Sequence, residues 1–275
     1  MANWGYEQFT AEVDKLIDID LSAYNERQMK RRVDSFIFRH KLRTYREFCS
    51  ALAADKELRE KFIDYLTINV TEFFRNPEQW EKMSNEIIPK LLKLSQPLKI
   101  WSAACSTGEE PYSMVMLLHQ VFGSYSGIKI LATDIDERAI DKARSGIYDK
   151  KELKNMPESW IKKFFYIEDN TCTVKDEVKA CVEFKKLNLL KDPYPKDLHL
   201  ILCRNVMIYF TQETKEGIYG LFHSSLKPGG VLFLGSTEQI IYPDRYGFMS
   251  LKSFFYEKIE KSRTTSKSLN IQTLG

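Results

Sequence analysis

Ile100-Trp101-Ser102-Ala103-Ala104-Cys105-Ser106-Thr107-Gly108-Glu109-Glu110-Pro111-Tyr112-Ser113 decides how this 275-residue chain is read. An apolar run, Leu98 to Trp101, enters as a strand and passes into residues small enough for close backbone approach. Ser106-Thr107-Gly108 makes the bend. Glu109, Glu110 and Pro111 then suit a first helical turn, where acids complement the helix macrodipole and proline loses no needed N–H. Strand, tight turn and helix open a nucleotide-type site in an α/β sheet. A phosphate-binding turn would keep carboxylates away from its anion. The ligand expected here instead carries hydroxyls and positive charge, which S-adenosylmethionine does through its ribose, ammonium and sulfonium.

Downstream the pattern alternates. Glu109 to Phe122 reads as a helix with Met114, Val115, Leu117, Leu118 and Val121 inward, and Ile128 to Ala132 as a second strand ending in Thr133-Asp134-Ile135-Asp136. An acid at that strand end is positioned to accept ribose hydroxyls. Asp134 is favoured for this, and Asp136 for the N-cap of the helix Glu137 to Arg144. Residues 146 to 188 break the alternation. Helical Glu152 to Phe165 precedes short runs, Cys172 to Val174 and Cys181 to Phe184, that read as a small antiparallel insertion. Leu198 to Cys203 is a buried strand leading into Arg204-Asn205-Val206-Met207-Ile208-Tyr209-Phe210. Helix Thr214 to Leu226, a Lys227-Pro228-Gly229-Gly230 turn and strand Val231 to Leu234 follow. Ser253 to Ile259 reads as an antiparallel edge strand, and polar residues 261–275 as disordered.

Upstream, residues 1–75 read as helical. Arg27 to Arg43 places Met29, Val33, Phe36, Ile37 and His40 on one face, and Thr44 with Glu47 forms a capping box for the next helix. The rest of that segment is basic: Arg27, Lys30, Arg31, Arg32, Arg39, Lys41 and Arg43 against Asp34 alone. It is either a solvated face around a buried stripe or a docking surface for an acidic partner, nucleic acid or protein. Polar Asn69, Thr71 and Arg75 then interrupt an apolar run before Pro77 starts a helix at Trp80 to Leu94. This is either a helix end with a surface arginine or an arginine held at the mouth of an interdomain cleft.

Apolar content of 43% and charged content of 29% describe an ordinary globular chain, and a net charge of +3 identifies no partner. The five cysteines form no CxxC pair, so a reduced intracellular protein is expected, with no disulfide framework or metal site. Met1 to Asp14 has no apolar signal core and nothing reaches the length of a membrane span, which points to the cytoplasm.

Four stretches together resemble one family, the chemotaxis receptor glutamate methyltransferases, CheR: Leu66 to Arg75, Trp101 to Ser113, Thr133 to Asp136 with Lys142 to Tyr148, and Cys203 to Phe210. Their order covers about residues 20 to 258. The resemblance implies a Rossmann-like S-adenosylmethionine-dependent methyltransferase domain over 76–260, with a small antiparallel β-subdomain at about 165–186, preceded by an all-α domain over 1–75. It implies that Asn69, Thr71 and Arg75 face the cofactor and substrate pocket. Glu109 would hold the cofactor near the turn and Asp134 would take the ribose. Asn188 and Leu189 would flank the adenine, Asn205 and Val206 would close the site, and Tyr209 would sit near the transfer point unless it merely packs beside Phe210. Glu110 is left to the helix start.

The implied reaction moves a methyl group to glutamate side chains on receptor helices, leaving S-adenosylhomocysteine. A glutamate of pKa about 4.3 is already ionised at pH 7, so no general base and no metal is needed. The four histidines accordingly fall in helical or strand patterns with no nucleophile standing out. Arg27, Lys30, Arg31, Arg32, Arg39 and Arg43 would dock the acidic methylation helices. The short, glycine-free loop around Glu168 to Thr173 implies no need for a receptor C-terminal tether, and the protein is expected to act as a monomer. Nucleic-acid methylation is the rival reading. It lacks support, since Arg204-Asn205-Val206-Met207 holds no proline pair and Cys105 follows no proline. A non-catalytic adaptor of the same fold is the other, and the intact polar set argues against it.

Overall fold

The computed structural model describes residues 4–94 and 96–260; the tail 261–275, expected to be disordered, lies outside the described residues. Helices α1 (Tyr6–Ile17), α2 (Glu26–Arg39), α3 (Tyr45–Ala54) and α4 (Lys56–Thr67) come first. Asn25, Thr44 and Asp55 cap the last three by accepting from the N–H groups of Gln28, Glu47 and Leu58, each worth about 1 kcal/mol. Their apolar faces close over Phe9, Val13, Phe36, Phe48, Leu52 and Phe62. Phe48 and Phe62 meet edge-on at 4.8 Å, a geometry that adds about 0.5–1.5 kcal/mol to the burial itself. The basic helix is shorter than its spacing predicts. Lys41 takes φ +58°, the helix stops at Arg39, and Arg43 lies in the following loop, where its N–H donates to Glu47. His40 is exposed and stacks on Phe36 instead of joining the buried stripe.

A helical rod over 77–92 follows: α5 (Pro77–Lys82), a π-helical turn (Met83–Ile87) and α6 (Ile88–Leu92). Pro89 explains the widened turn, because it offers no N–H to Asn85 and its ring crowds that carbonyl. Then come β1 (Ile100–Ser102), α7 (Glu109–Phe122), β2 (Ile130–Asp134) and α8 (Glu137–Ser145). They lead to β3 (Ile147–Asp149), α9 (Glu158–Phe164), β4 (Phe165–Glu168), β5 (Thr171–Val174) and α10 (Asp176–Lys179). The chain finishes through β6 (Val182–Lys186), β7 (Leu198–Cys203), α11 (Gln212–Ser225), β8 (Leu226–Leu234), β9 (Phe248–Lys252) and β10 (Phe255–Lys258).

Seven strands make one sheet in the order β6-β2-β1-β7-β8-β10-β9. The first five are parallel and the last two antiparallel. This is the sheet of a Rossmann-like methyltransferase domain, and β1 is the middle one of its five parallel strands, with every residue buried. The chain winds outward from β1 through β2 to β6, then returns to the other side of β1 as β7. That reversal opens a crevice at the carboxyl ends of β1 and β7, where ligands bind in open α/β sheets.

Four expectations change. The run Cys181 to Phe184 does not belong to the insertion: β6 pairs in parallel with β2 from Ile130↔Val182 to Asp134↔Lys186. The small sheet is instead β3-β5-β4, spanning residues 147–174 where 165–186 was expected, with β3 as its unforeseen strand. The expected helix Glu152 to Phe165 divides at Pro157 into a 3-10 turn (Lys150–Leu153) and α9. Finally, the strand ending the fold is antiparallel but internal, since β9 takes the edge.

Candidate active site

Between the helical layer and the sheet lies an open cleft at the carboxyl ends of β1, β2 and β7. Ile19, Tyr24 and Met29 line it from the N-terminal helices, and Asn69, Thr71 and Arg75 from the linker. Ala103, Ser106, Asp134, Asn188 and Leu189 form the floor, and Asn205, Val206 and Tyr209 the far wall. Every residue named from the sequence for the cofactor and transfer site is on this surface except Glu109.

The floor is built by carboxylates gripping backbone. Asp134 ends β2, where its Oδ2 accepts the Ser106 N–H at 2.7 Å and its Oδ1 the Asp136 N–H at 3.0 Å. One side chain thus locks the turn after β1 to the turn after β2. Burial pushes its carboxyl up to about 6, against the pull of those N–H donors. Asp136 caps α8 through Oδ1 and accepts from Asn69 (2.7 Å) and Thr67 (3.1 Å) through Oδ2. It stays off the cleft wall, so of these two aspartates Asp134 is the one that faces the cavity. Gly108 starts α7 at φ +96°; a Cβ there would lie 2.8 Å from the Cβ of Ala143. Tyr148 of β3 donates to the Thr107 carbonyl at 2.6 Å, so the small sheet braces this turn.

The two glutamates divide in a way the sequence did not foretell. Glu109 turns back to accept the Thr107 hydroxyl at 2.7 Å, is buried away from the cleft, and is pushed up to about 6 by that burial. Glu110 lines the cleft, accepting the Ser102 hydroxyl at 2.8 Å and facing Arg204 at 3.5 Å. Burial raises its carboxyl, and Arg204 opposes the shift. In the sequence Arg204 stands out only as part of the stretch Cys203 to Phe210. It is buried, with its guanidinium 4.6 Å from the Phe233 ring centroid, and donates to the Arg75 carbonyl at 2.8 Å and to Asn76 Oδ1 at 3.1 Å. A charged residue directly after a largely apolar strand is the available signal.

Arg75 is thereby held by its backbone. Trp80 donates to the same carbonyl at 3.1 Å, while the guanidinium reaches the Val70 carbonyl at 2.9 Å on the cleft wall. Asn69 uses both ends of its amide within the protein, donating to Asp136 and accepting from Ser106 Oγ at 2.9 Å. Asn188 does likewise, donating to the Asp18 carbonyl at 2.8 Å and accepting the Leu190 N–H at 2.9 Å. These two asparagines tie the helical layer to the floor.

The far wall is sewn to the start of α2. The Asn25 N–H donates to the Tyr209 carbonyl at 2.8 Å, the Thr211 N–H donates to Ala23 at 2.9 Å, and the Tyr24 and Phe210 rings lie 4.9 Å apart. Burial raises the Tyr209 hydroxyl, while the nearby cations Arg32 and Arg75 resist the shift. Arg32 is therefore not a free docking cation: half-buried, it donates to the Tyr65 carbonyl and stacks on that ring at 4.7 Å. Arg27, Lys30, Arg31, Arg39 and Arg43 are exposed.

S-adenosylmethionine fits these walls. Asp134 is an acceptor for hydroxyls, Leu189 and Ile135 offer apolar surface for a base, and Glu110 with Arg75 and Arg204 can meet an ammonium and a carboxylate. Comparison with known proteins agrees. Residues 69–255 match the family model described as CheR methyltransferase, SAM binding domain, and residues 5–67 the one described as CheR methyltransferase, all-alpha domain. A chemotaxis protein methyltransferase of Listeria innocua is 41% identical over 254 residues, 92% of this chain and 97% of that protein. Chemotaxis protein methyltransferase 1 of Pseudomonas aeruginosa is 32% identical over 89% of this chain and 94% of its own. The Escherichia coli chemotaxis protein methyltransferase is 39% identical over 68% of this chain and 66% of its own. The chain belongs to the CheR family of S-adenosylmethionine-dependent methyltransferases.

Proposed function

We propose that this protein methylates glutamate side chains on the cytoplasmic helices of chemoreceptors, with the acceptor entering beside Arg75 and Tyr209. The observation that carries the reading is the convergence of Arg75, Tyr209 and Asp134 on one cleft between two layers, in a chain of the CheR family. When bound, the cofactor supplies an electrophilic methyl group on its sulfonium. Asp134 would hold the ribose, Leu189 the base, Asn205 and Val206 the near edge, and Glu110, in place of Glu109, the ammonium. Thr71 stays assigned to the pocket wall, whereas Asn69 and Asn188 serve by fixing it.

The acceptor carboxylate is ionised at pH 7 and needs no proton removed, so no metal and no base is required. The protein's task is to align two groups and keep water out, and alignment alone is worth several orders of magnitude in rate. Arg75, pinned at its carbonyl by Trp80 and Arg204, orients a carboxylate with its guanidinium. The Tyr209 hydroxyl donates to the same centre and, raised by burial, keeps its proton.

Arg27, Lys30, Arg31, Arg39 and Arg43 form the surface offered to an acidic receptor helix. Tether independence is supported by the two-residue turn, Asp169-Asn170, between β4 and β5. No helix among the described residues is long and apolar enough to cross a membrane, and we place the protein in the cytoplasm, acting as a monomer on receptors and not on nucleic acid. Incubation with methyl-labelled S-adenosylmethionine and receptor membranes should give base-labile label on protein. Arg75→Ala should abolish it while leaving the circular dichroism spectrum intact. Label on nucleic acid, or near-normal turnover by Arg75→Ala, would sink the reading.

A further inference from the structure

Glu238 lies just beyond β8, outside the cleft, and is 5% exposed. Its Oε2 accepts the Asn205 N–H at 2.6 Å and the Gly235 N–H at 2.7 Å, and its Oε1 accepts the Ile208 N–H at 3.3 Å. One carboxylate therefore spans the loop that carries Asn205, Val206 and Tyr209. That loop needs an external hold. Asn205 sits at φ +62°, in the left-handed region that side chains other than glycine enter at a cost. Gly235 makes the hold possible: a Cβ there would collide with the Glu238 carboxylate and come within 2.8 Å of the Asn205 nitrogen. From the opposite side, Ala23 and Asn25 bind the same loop at Thr211 and Tyr209. The loop is clamped between the N-terminal helices and a buried acid.

We propose that Glu238 is a positioning residue for methyl transfer, setting the backbone of 205–209 and thereby the Tyr209 hydroxyl without touching either reactant. This rests on the reading that Tyr209 serves the transfer. The two oxygens have separable duties: Oε2 fixes the cofactor end of the loop at Asn205, and Oε1 the Tyr209 end at Ile208. In Glu238→Gln the amide oxygen can keep the two short bonds while its NH2 faces the Ile208 N–H. The Asn205 end stays held and the Tyr209 end is released.

The test is steady-state methylation of receptor membranes by the full chain, with S-adenosylhomocysteine binding by calorimetry. Glu238→Gln should lower kcat on the order of 10- to 100-fold, as misplacement near 1 Å does. Its KM for S-adenosylmethionine and Kd for S-adenosylhomocysteine should stay within about 2-fold, a split that general destabilisation does not produce. In a Tyr209→Phe background the substitution should cost no more than about a further 2-fold, because both changes act on one group. Gly235→Ala, whose Cβ would push Oε2 off the Asn205 and Gly235 N–H groups, should lower kcat and also weaken S-adenosylhomocysteine binding, and it carries the test if Glu238→Gln does not fold. Unchanged kcat in folded Glu238→Gln, a rise confined to KM, or fully multiplicative losses with Tyr209→Phe would each overturn the proposal. Full activity in Tyr209→Phe alone would remove the Tyr209 reading and the proposal with it. A slow Tyr209→Phe beside a normal Glu238→Gln would remove only the proposal.

Discussion

Removing the charge of Arg204 should unfold this protein more readily than any surface change, and the structure says by how much. Arg204 is 6% exposed and makes three polar contacts: Glu110, the Arg75 carbonyl and Asn76 Oδ1. Arg204→Met keeps the volume over Phe233 and Trp80 but leaves the Glu110 carboxylate buried without its cation. Breaking one side of a buried pair costs about 3–5 kcal/mol, a large part of the 5–15 kcal/mol or so that holds a typical domain together. The pair itself is not the source of that stability, since desolvating both charges offsets most of their attraction. Arg204→Met with Glu110→Gln, which removes both charges and can keep the Ser102 hydrogen bond, should therefore recover about half or more of the loss. Urea unfolding followed by circular dichroism measures all three proteins. A loss below about 1 kcal/mol in Arg204→Met, or a double variant no better than the single, would refute the reasoning. Methyl transfer should stay impaired in the double variant, because the Arg75 carbonyl has lost one of its two donors and the cleft has lost the Glu110 charge.

Cofactor binding should depend on pH through Asp134. With its carboxyl near 6 in the folded protein, S-adenosylhomocysteine affinity should be level above pH 7 and fall about tenfold per unit below 6; Asp134→Asn should bind more weakly at pH 7.5 and lose this dependence, and calorimetry between pH 5 and 8 decides. For stability the sign is opposite: a carboxyl raised above its unfolded value of about 3.9 stabilises the fold as pH falls from 6 towards 4. Glu110→Gln should weaken S-adenosylhomocysteine binding by about tenfold, the loss of one charge-assisted contact, and Glu109→Gln by less than twofold; the reverse order would restore the ammonium to Glu109. Charge reversal at Arg27 and Arg31 should slow receptor methylation at low salt and have little effect at high salt, where exposed charges are screened, whereas reversal at Arg32 should also lower the unfolding midpoint.

Much of this was readable from local chemistry. Helix α7 was read to the residue, Glu109 to Phe122, because Gly108 and Gly123 punctuate it and both take positive φ. Strand β7 was read as well, since six consecutive buried residues between polar turns leave little choice. Asp136 as a cap and Asp134 as the cleft acid followed from their places at a strand end. The basic surface of α2 was visible in composition, but its end was not: Lys41 turns left-handed, and nothing local marks it.

What sequence could not supply was direction and partnership. Neighbouring residues on a helix point roughly 100° apart, so choosing Glu110 over Glu109 for the cleft required the packing of α7 against β1, β2 and Tyr148. The Val182 run joined the large sheet because β2 offered an open edge, a contact between segments some 50 residues apart that no local pattern records. Asn69 and Asn188 enter as cofactor contacts through the family resemblance; both line the cleft, and only the fold shows that their amides also join its two layers. Glu238 escaped notice for a related reason. A carboxylate three residues beyond a glycine means little until the loop after β7 lies across it. The opening stretch, Ile100 to Ser113, fixed the kind of site by itself, because strand, turn and helix are local. Which atoms face the ligand was decided by β2, β7 and the N-terminal helices, because burial is a property of the assembled fold.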